Sequence, residues 1–187
     1  DGPYRTVWDP LRFEVAKRPD RDEVYARAFI HLNLVQVTMG VAISLFVPEF
    51  LRVMATPPFY QAGNWVPIIV AAYLGQSWSL FLNTGLFIKE RTELITWATW
   101  LGAAAAIAGY LALIPPLGGL GAALATLLSF IVLYWAVYRY SQREWPIAYR
   151  WAPVIRMLLA ASVIGGLGFL LPPLPLLAAI AAKTALL

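Results

Sequence analysis

The sequence predicts an all-α protein, a polytopic bundle of transmembrane helices, and three observations predict it. Apolar runs recur at about 29–51, 65–88, 94–114, 120–138, 151–171 and 174–187, giving six spans of which the last is cut short. A span needs roughly 20 apolar residues to cross about 30 Å of hydrocarbon, at about 1.5 Å per residue. Of the 187 residues, 60% are hydrophobic and only 13% are charged, with a mean hydropathy of +0.68. A soluble domain is about half apolar and about a quarter charged. Lysine and arginine, finally, alternate between the connections. Arg5, Arg12, Lys17, Arg18, Arg21 and Arg27 precede the first run, Arg52 alone follows it, and Lys89 and Arg91 follow the second. The connection after the third run has none, Arg139, Arg143, Arg150 and Arg156 surround the start of the fifth, and 172–175 has none.

Basic residues accumulate in cytoplasmic connections. The alternation therefore places 1–28, 89–93 and 139–150 in the cytoplasm, and Arg52 with the turns at 115–119 and 172–175 outside. The net charge of +4 belongs to this topology and not to a nucleic-acid surface. Strands are disfavoured, because the apolar residues show no alternation and because lipid tolerates only helices and closed barrels.

Taken in order, residues 1–28 read as a cytoplasmic loop and the start of the first helix, broken by Pro3, Pro10 and Pro19. Asp20 or Asp22 is expected to cap a helix beginning near Asp22, with Glu23 favourable to its dipole. The run 29–51 carries His31, Asn33, Gln36 and Thr38 in its first half and is apolar until Pro48-Glu49. Residues 54–64 read as a loop with Pro57, Pro58 and Gly63. The run 65–88 is spotted with Gln76, Ser77, Ser79, Asn83 and Thr84, and Lys89-Glu90-Arg91-Thr92-Glu93 closes it as a charged turn.

The run 94–114 is rich in alanine and glycine. Pro115 and Pro116 are expected to stop its helix, since proline lacks an N–H and clashes with the preceding turn. Gly118-Gly119 then permits reversal, and Gly121, Ala122, Ala123 and Ala125 let the next helix pack closely. After the run 120–138 comes a charged connection, then the run 151–171, with Arg156 as an interfacial anchor and Gly165-Gly166-Leu167-Gly168 as packing residues. Trp65, Trp97, Trp145 and Trp151 lie at run ends, as an interfacial aromatic belt requires. Trp78 lies mid-run and is expected to face lipid or a neighbouring helix, the alternative being to stack on a sugar. The chain starts in polar sequence without methionine and ends inside an apolar run, which suggests a piece of a longer protein.

Catalysis is not expected. There is no cysteine, hence no disulfide or thiolate metal site, and the one histidine has no nearby carboxylate or nucleophile. Gly118-Gly119-Leu120-Gly121 has no lysine after it and so is no phosphate-binding loop. No cofactor is expected. Polar residues inside spans are costly and carry the functional signal. Arg27 and His31 are one turn apart, with Thr38 on about the same face. Gln76, Ser79 and Asn83 follow a 3,4 spacing and form a second stripe.

Several passages resemble a known family. Leu45-Phe46-Val47-Pro48-Glu49-Phe50-Leu51 is followed by Pro58-Phe59-Tyr60-Gln61-Ala62, a polar-spotted span ending in Lys89-Glu90-Arg91-Thr92, and an apolar span ending in proline. Gly118-x-x-Gly121-Ala122-Ala123 and Ala125-Thr126 follow. In order and spacing this is similar to the C-terminal portion of an oligosaccharide-lipid flippase, a polysaccharide biosynthesis exporter of the multidrug/oligosaccharidyl-lipid/polysaccharide superfamily. The resemblance implies a fold of roughly 12 to 14 spans in two related halves, of which 29–187 would be the C-terminal bundle. It implies alternating access in the inner (cell) membrane, carrying an isoprenoid-pyrophosphate oligosaccharide for surface polysaccharide or O-antigen biosynthesis. Its partners would be the bilayer, that lipid-linked oligosaccharide and the missing N-terminal half, with no nucleic acid.

On this reading Arg27, His31 and Thr38 would line a central cavity, Arg27 attracting the pyrophosphate. The plainer reading puts all three at the cytoplasmic interface with Arg27 snorkelling. Gln76, Ser79 and Asn83 would hydrogen-bond sugar hydroxyls, or else bond between helices, which contributes about 0.6 kcal/mol on average. Two alternatives stand beside the flippase. A drug or cation antiporter of the same superfamily would favour buried carboxylates, whereas Glu49 and Glu93 sit at run ends, with Glu49 placed to pair with Arg52. A non-transporting scaffold of a glycan-synthesis complex would carry no polar stripe.

Overall fold

The structure is a computed structural model that describes residues 2–170 and Thr184. Among the described residues the only regular structure is helical: α1 (Gly2–Val15), α2 (Arg21–Met54), three-ten turns over Pro57–Trp65, α3 (Val66–Leu82), α4 (Thr84–Ile88), α5 (Thr92–Leu117), α6 (Gly119–Glu144) and α7 (Trp151–Leu170). Five segments are long and apolar enough to cross a membrane: Arg21–Met54, Pro57–Ile88, Thr92–Leu117, Gly119–Glu144 and Trp151–Gly168. They suit a multi-pass protein embedded in a bilayer. The turn expected at 172–175 and the span expected at 174–187 lie outside the described residues, Thr184 apart.

The first departure from expectation is α1, where a loop was expected. Trp8, Arg12 and Val15 follow helical spacing, and they dock on the bundle. The Trp8 ring stacks on Phe81 at 5.1 Å and meets Tyr25 edge-on at 5.8 Å, while the Arg12 guanidinium lies 4.1 Å from the Phe87 ring centre. Tyr25 donates its hydroxyl hydrogen to the Arg12 carbonyl at 2.6 Å. These contacts offset the N–H that Pro10 removes from the helix.

Helix α2 begins where the sequence suggested, but no side chain caps it. Asp20 instead binds Arg18 at 2.9 Å, and Asp22 lies 3.4 Å from Arg21. With 34 residues it is about 50 Å long and overshoots the roughly 30 Å hydrocarbon layer. Residues 57–65, expected as loop, wind into three-ten turns behind Pro57 and Pro58. The next span is stepped at Asn83, but Asn83 N–H still bonds the Ser79 carbonyl and Phe87 N–H the Asn83 carbonyl, so the break is shallow.

Pro115 and Pro116 do not stop α5. The helix runs through both to Leu117, because proline in a last turn forfeits only its own donors, and the Gly118 N–H closes on the Ile114 carbonyl at 2.8 Å. Reversal falls to Gly118, at φ +56°. Helix α6 then returns so close to α5 that a Cβ on Gly121 would stand 2.0 Å from the Leu113 carbonyl oxygen. Gly109 meets Ala125 in the same seam, and Tyr110 and Thr126 share a hydroxyl hydrogen bond of 3.0 Å. Small residues thus build the α5–α6 hairpin.

Helix α3 packs on α6 through Gly75, which faces Phe130, and α2 packs on α3. Helix α7 runs beside α2 in the same direction, with Phe29 against Trp151 at 5.1 Å and Leu45 against Gly168. The charged connections converge on one end of the bundle. Arg21 and Lys89 lie 4.4 and 4.9 Å from the Trp145 ring centre, and Arg91 lies 3.6 Å from Glu144. At the other end the Trp65 ring covers Gly119 beside the uncharged turn. The core is an aromatic cluster near the charged end, with Tyr25, Phe29, Phe81 and Tyr149 buried and Trp78, Tyr134 and Trp151 packed against them. Outside it, α5 shows Trp97, Trp100, Ile107 and Leu111 to its surroundings, as a lipid-facing helix would.

Candidate functional site

The middle of α2 has two sides. On one, Asn33 is fully buried; its amide donates to the Phe29 carbonyl at 2.8 Å and its oxygen accepts the Trp78 indole N–H at 2.7 Å. One turn on, the Gln36 amide donates to the Ser77 hydroxyl. These bonds tie α2 to α3 and fix Trp78 between Tyr134 and Trp151, at 5.6 and 5.7 Å. Trp78 therefore faces neighbouring helices, and its N–H is satisfied in an apolar setting.

The other side of α2 is an exposed arc carrying Arg27, His31, Leu34, Val35, Thr38 and Met39. Grooves run along both flanks. The larger, about 590 Å³, lies between α2 and α3 and is lined by His31, Gln36, Met39, Ile43, Ile69 and Tyr73 among others. The smaller, about 180 Å³, lies between α2 and α7 and is lined by Leu34, Thr38, Met157 and Ile164 among others. Both walls are mostly apolar, and His31, Gln36, Tyr73 and Thr38 supply the polar atoms.

The structure thus brings Arg27, His31 and Thr38 onto one open face, at the register their spacing gave. Arg27 forms an ion pair with Glu23 at 2.7 Å, one turn back and just as exposed, so it is held at the charged end. An exposed pair of this kind contributes under about 1 kcal/mol, and an anion displaces it easily.

Gln76, Ser79 and Asn83 do not join that face, and none of them lines the two grooves. Ser79 is buried, donates to the Gly75 carbonyl at 3.0 Å and sits one turn from the contact with α6. Asn83 is buried at the step between α3 and α4, and its side-chain oxygen has no hydrogen-bond partner among the described residues. Gln76 is half-buried. The groove wall on α3 is instead Val66, Ile69, Val70 and Tyr73.

Asn33 and Gln36 on α2 and Ser77 on α3 were visible in the sequence as polar residues inside apolar runs, but were not singled out as a site. The sequence did not show that Asn33 meets Trp78 and Gln36 meets Ser77. Glu49 is a further correction: read as a surface residue, it is buried. In the connection before α7, burial pushes the Tyr149 hydroxyl well above the usual tyrosine range, with smaller contributions from Tyr25, Asp22 and Tyr138.

No family model, curated protein or solved structure matches the chain.

Proposed function

We propose that the chain is the C-terminal portion of an oligosaccharide-lipid flippase, carrying an isoprenoid-pyrophosphate oligosaccharide across the inner membrane for surface polysaccharide or O-antigen biosynthesis. The observation that carries this reading is the open arc of α2, where Arg27, His31 and Thr38 stand on one unpacked face of a membrane-length helix. Polar groups at such positions are expensive against lipid, so an arc of this kind belongs toward water or another part of the protein. In a bundle of two related halves it would face the central cavity. Arg27 and His31 would receive the pyrophosphate, and Thr38, deeper along the helix, would meet sugar hydroxyls.

The two halves would rock about that cavity, opening it to each side in turn. The chain would move its cargo without covalent chemistry and draw on an ion or substrate gradient. Residues 1–28, 89–93 and 139–150 would be cytoplasmic; the lysines and arginines they carry and their convergence on one end of the bundle support this. Ser79 and Asn83 fit helix packing better than sugar binding.

The test is export of labelled lipid-linked glycan by the full-length protein. Arg27→Gln, His31→Gln and Thr38→Val should each lower it, while Gln76→Leu should change it less. Unchanged export in all three α2 variants would remove the arc from the transport path.

One observation favours a second reading, a drug or cation antiporter of the same superfamily. Glu49 is a buried carboxylate on α2, the kind of group that binds a cation. Loss of cation-coupled drug efflux in Glu49→Gln, with glycan export intact, would favour it.

A further inference from the structure

The α2–α3 groove holds more apolar volume than a sugar or a phosphate needs, and its shape suggests a different occupant. It runs along α2 from His31 to Ile43, about 18 Å at 1.5 Å per residue. That is close to the depth of one leaflet, half of a hydrocarbon core of about 30 Å. Its wall is aliphatic apart from His31, Gln36 and Tyr73, and His31 stands at the end nearest the charged connections. Val35 and Met39, on its rim, are 58% and 60% exposed.

Cations surround that end. Arg27 lies one turn before His31. Helix α7 runs beside α2 with Phe29 against Trp151, which brings Arg150 and Arg156 to about the depth of Arg27 and Asn33. Both are exposed, and neither has an acidic partner among the described residues. At this end of α2, Asp22 and Glu23 pair with Arg21 and Arg27, which leaves Arg150 and Arg156 without a carboxylate among the described residues.

We propose that the groove is a site for an acyl chain of an anionic phospholipid, whose phosphate lies against His31 and Arg27, with Arg156 at a similar depth on the other flank of α2. The chain replaces the hydrocarbon that an open groove in a bilayer must contain. The headgroup competes with Glu23 for Arg27 and adds to the field of Arg156, each cation worth about 1 kcal/mol toward an anionic surface. Length decides against the polyisoprenoid of a glycan carrier, which overruns a groove one leaflet deep. The inference does not rest on the flippase reading and competes with it for Arg27 and His31, so the two fail in opposite arms of the titration below.

The experiment is native mass spectrometry of the full-length protein released from mild detergent. It is titrated separately with phosphatidylglycerol, phosphatidylcholine and a long-chain polyprenyl phosphate. Phosphatidylglycerol should be retained about tenfold more tightly than phosphatidylcholine, a difference of about 1.4 kcal/mol. Met39→Trp should fill the groove and lower phosphatidylglycerol retention to the phosphatidylcholine level. Leu111→Trp, on the exposed face of α5, should leave it unchanged; both sites are exposed, so neither change threatens folding. Arg27→Gln with Arg156→Gln should abolish the preference and keep the chain contact. Equal loss in Met39→Trp and Leu111→Trp overturns the site, as does equal retention of the two phospholipids by the wild type. Displacement of phosphatidylglycerol by polyprenyl phosphate assigns the groove to a carrier lipid and overturns the proposal.

Discussion

Substituting Gly121 by alanine tests the reason for the glycine-rich turn. The added Cβ would sit 2.0 Å from the Leu113 carbonyl oxygen and 2.5 Å from its carbon. A carbon approaches a carbonyl oxygen to about 3.3 Å, so α6 must retreat by more than about 1 Å. The obstacle is backbone and has no rotamer to change. The retreat also pulls on the tight reversal at Gly118 and on the Tyr110–Thr126 bond below it. Overpacking of this kind costs about 1–3 kcal/mol, and a backbone obstacle puts Gly121→Ala near the upper figure.

Two other glycines serve as controls. Gly118→Ala meets no atom within 4 Å but must hold φ at +56°, which costs about 1–2 kcal/mol. Gly166→Ala meets nothing within 4 Å inside a helix and should gain about 0.5–1 kcal/mol from lost chain freedom. Reversible unfolding in mixed micelles, followed by far-ultraviolet circular dichroism, gives all three values. If Gly121→Ala lies within about 0.5 kcal/mol of Gly166→Ala, close α5–α6 contact is not what the glycine provides, and the packing account of the turn fails.

Four further outcomes are expected in the same assay. Asn33→Leu leaves the Trp78 N–H unpaired in the aromatic cluster and should cost about 1–2 kcal/mol, with a shift in tryptophan emission as its second readout. Tyr25→Phe removes the buried bond that ties α2 to the Arg12 carbonyl, which keeps only the Ala16 N–H, and should cost about 1 kcal/mol. Tyr149→Phe removes a buried hydroxyl that has no partner among the described residues, so stability should hold or rise; its raised pKa means folding favours the neutral phenol, so wild-type stability falls above about pH 10 and the variant lacks that fall. Glu90 occupies a helix C-terminus at φ +56° with the Arg91 N–H bonded to the Leu86 carbonyl, a position that suits glycine, so Glu90→Gly should gain about 1 kcal/mol.

The sequence carried the helices well because each span is a separate physical event. Twenty apolar residues cross a bilayer whatever their neighbours do, and connection charges are read one at a time. What it carried poorly depends on tertiary contact. Helix α1 looked like loop because three prolines and mixed charges outweigh the Trp8–Arg12–Val15 face until something is there to dock it. Pro115 and Pro116 looked like a stop, yet a last turn tolerates them. Of the candidate site, the Arg27–His31–Thr38 face was legible from periodicity. The second stripe was legible as a stripe but not as a destination: spacing puts Ser79 and Asn83 on one side of a helix and does not say that α6 covers that side.

That difference follows from how polar side chains satisfy themselves in a membrane helix. A serine or threonine can bond back to the carbonyl one turn before it, as Ser44, Ser79, Thr99 and Ser162 do, at 2.7–3.0 Å. Such a residue costs little wherever it faces, so it marks neither a cavity nor a contact. An asparagine or glutamine has more donors and acceptors than its own helix can use, so it gains by reaching a second helix, as Asn33 and Gln36 do. Arginine and histidine cannot be satisfied by their own helix at all in the apolar layer. They must find an end of the bundle, a partner or a polar ligand, and Arg27 and His31 have taken the end. Ranked this way, the polar residues of α2 and α3 are three signals of unequal weight. The arginine–histidine face carries most of the information about binding, the amides report packing, and the hydroxyls report almost nothing.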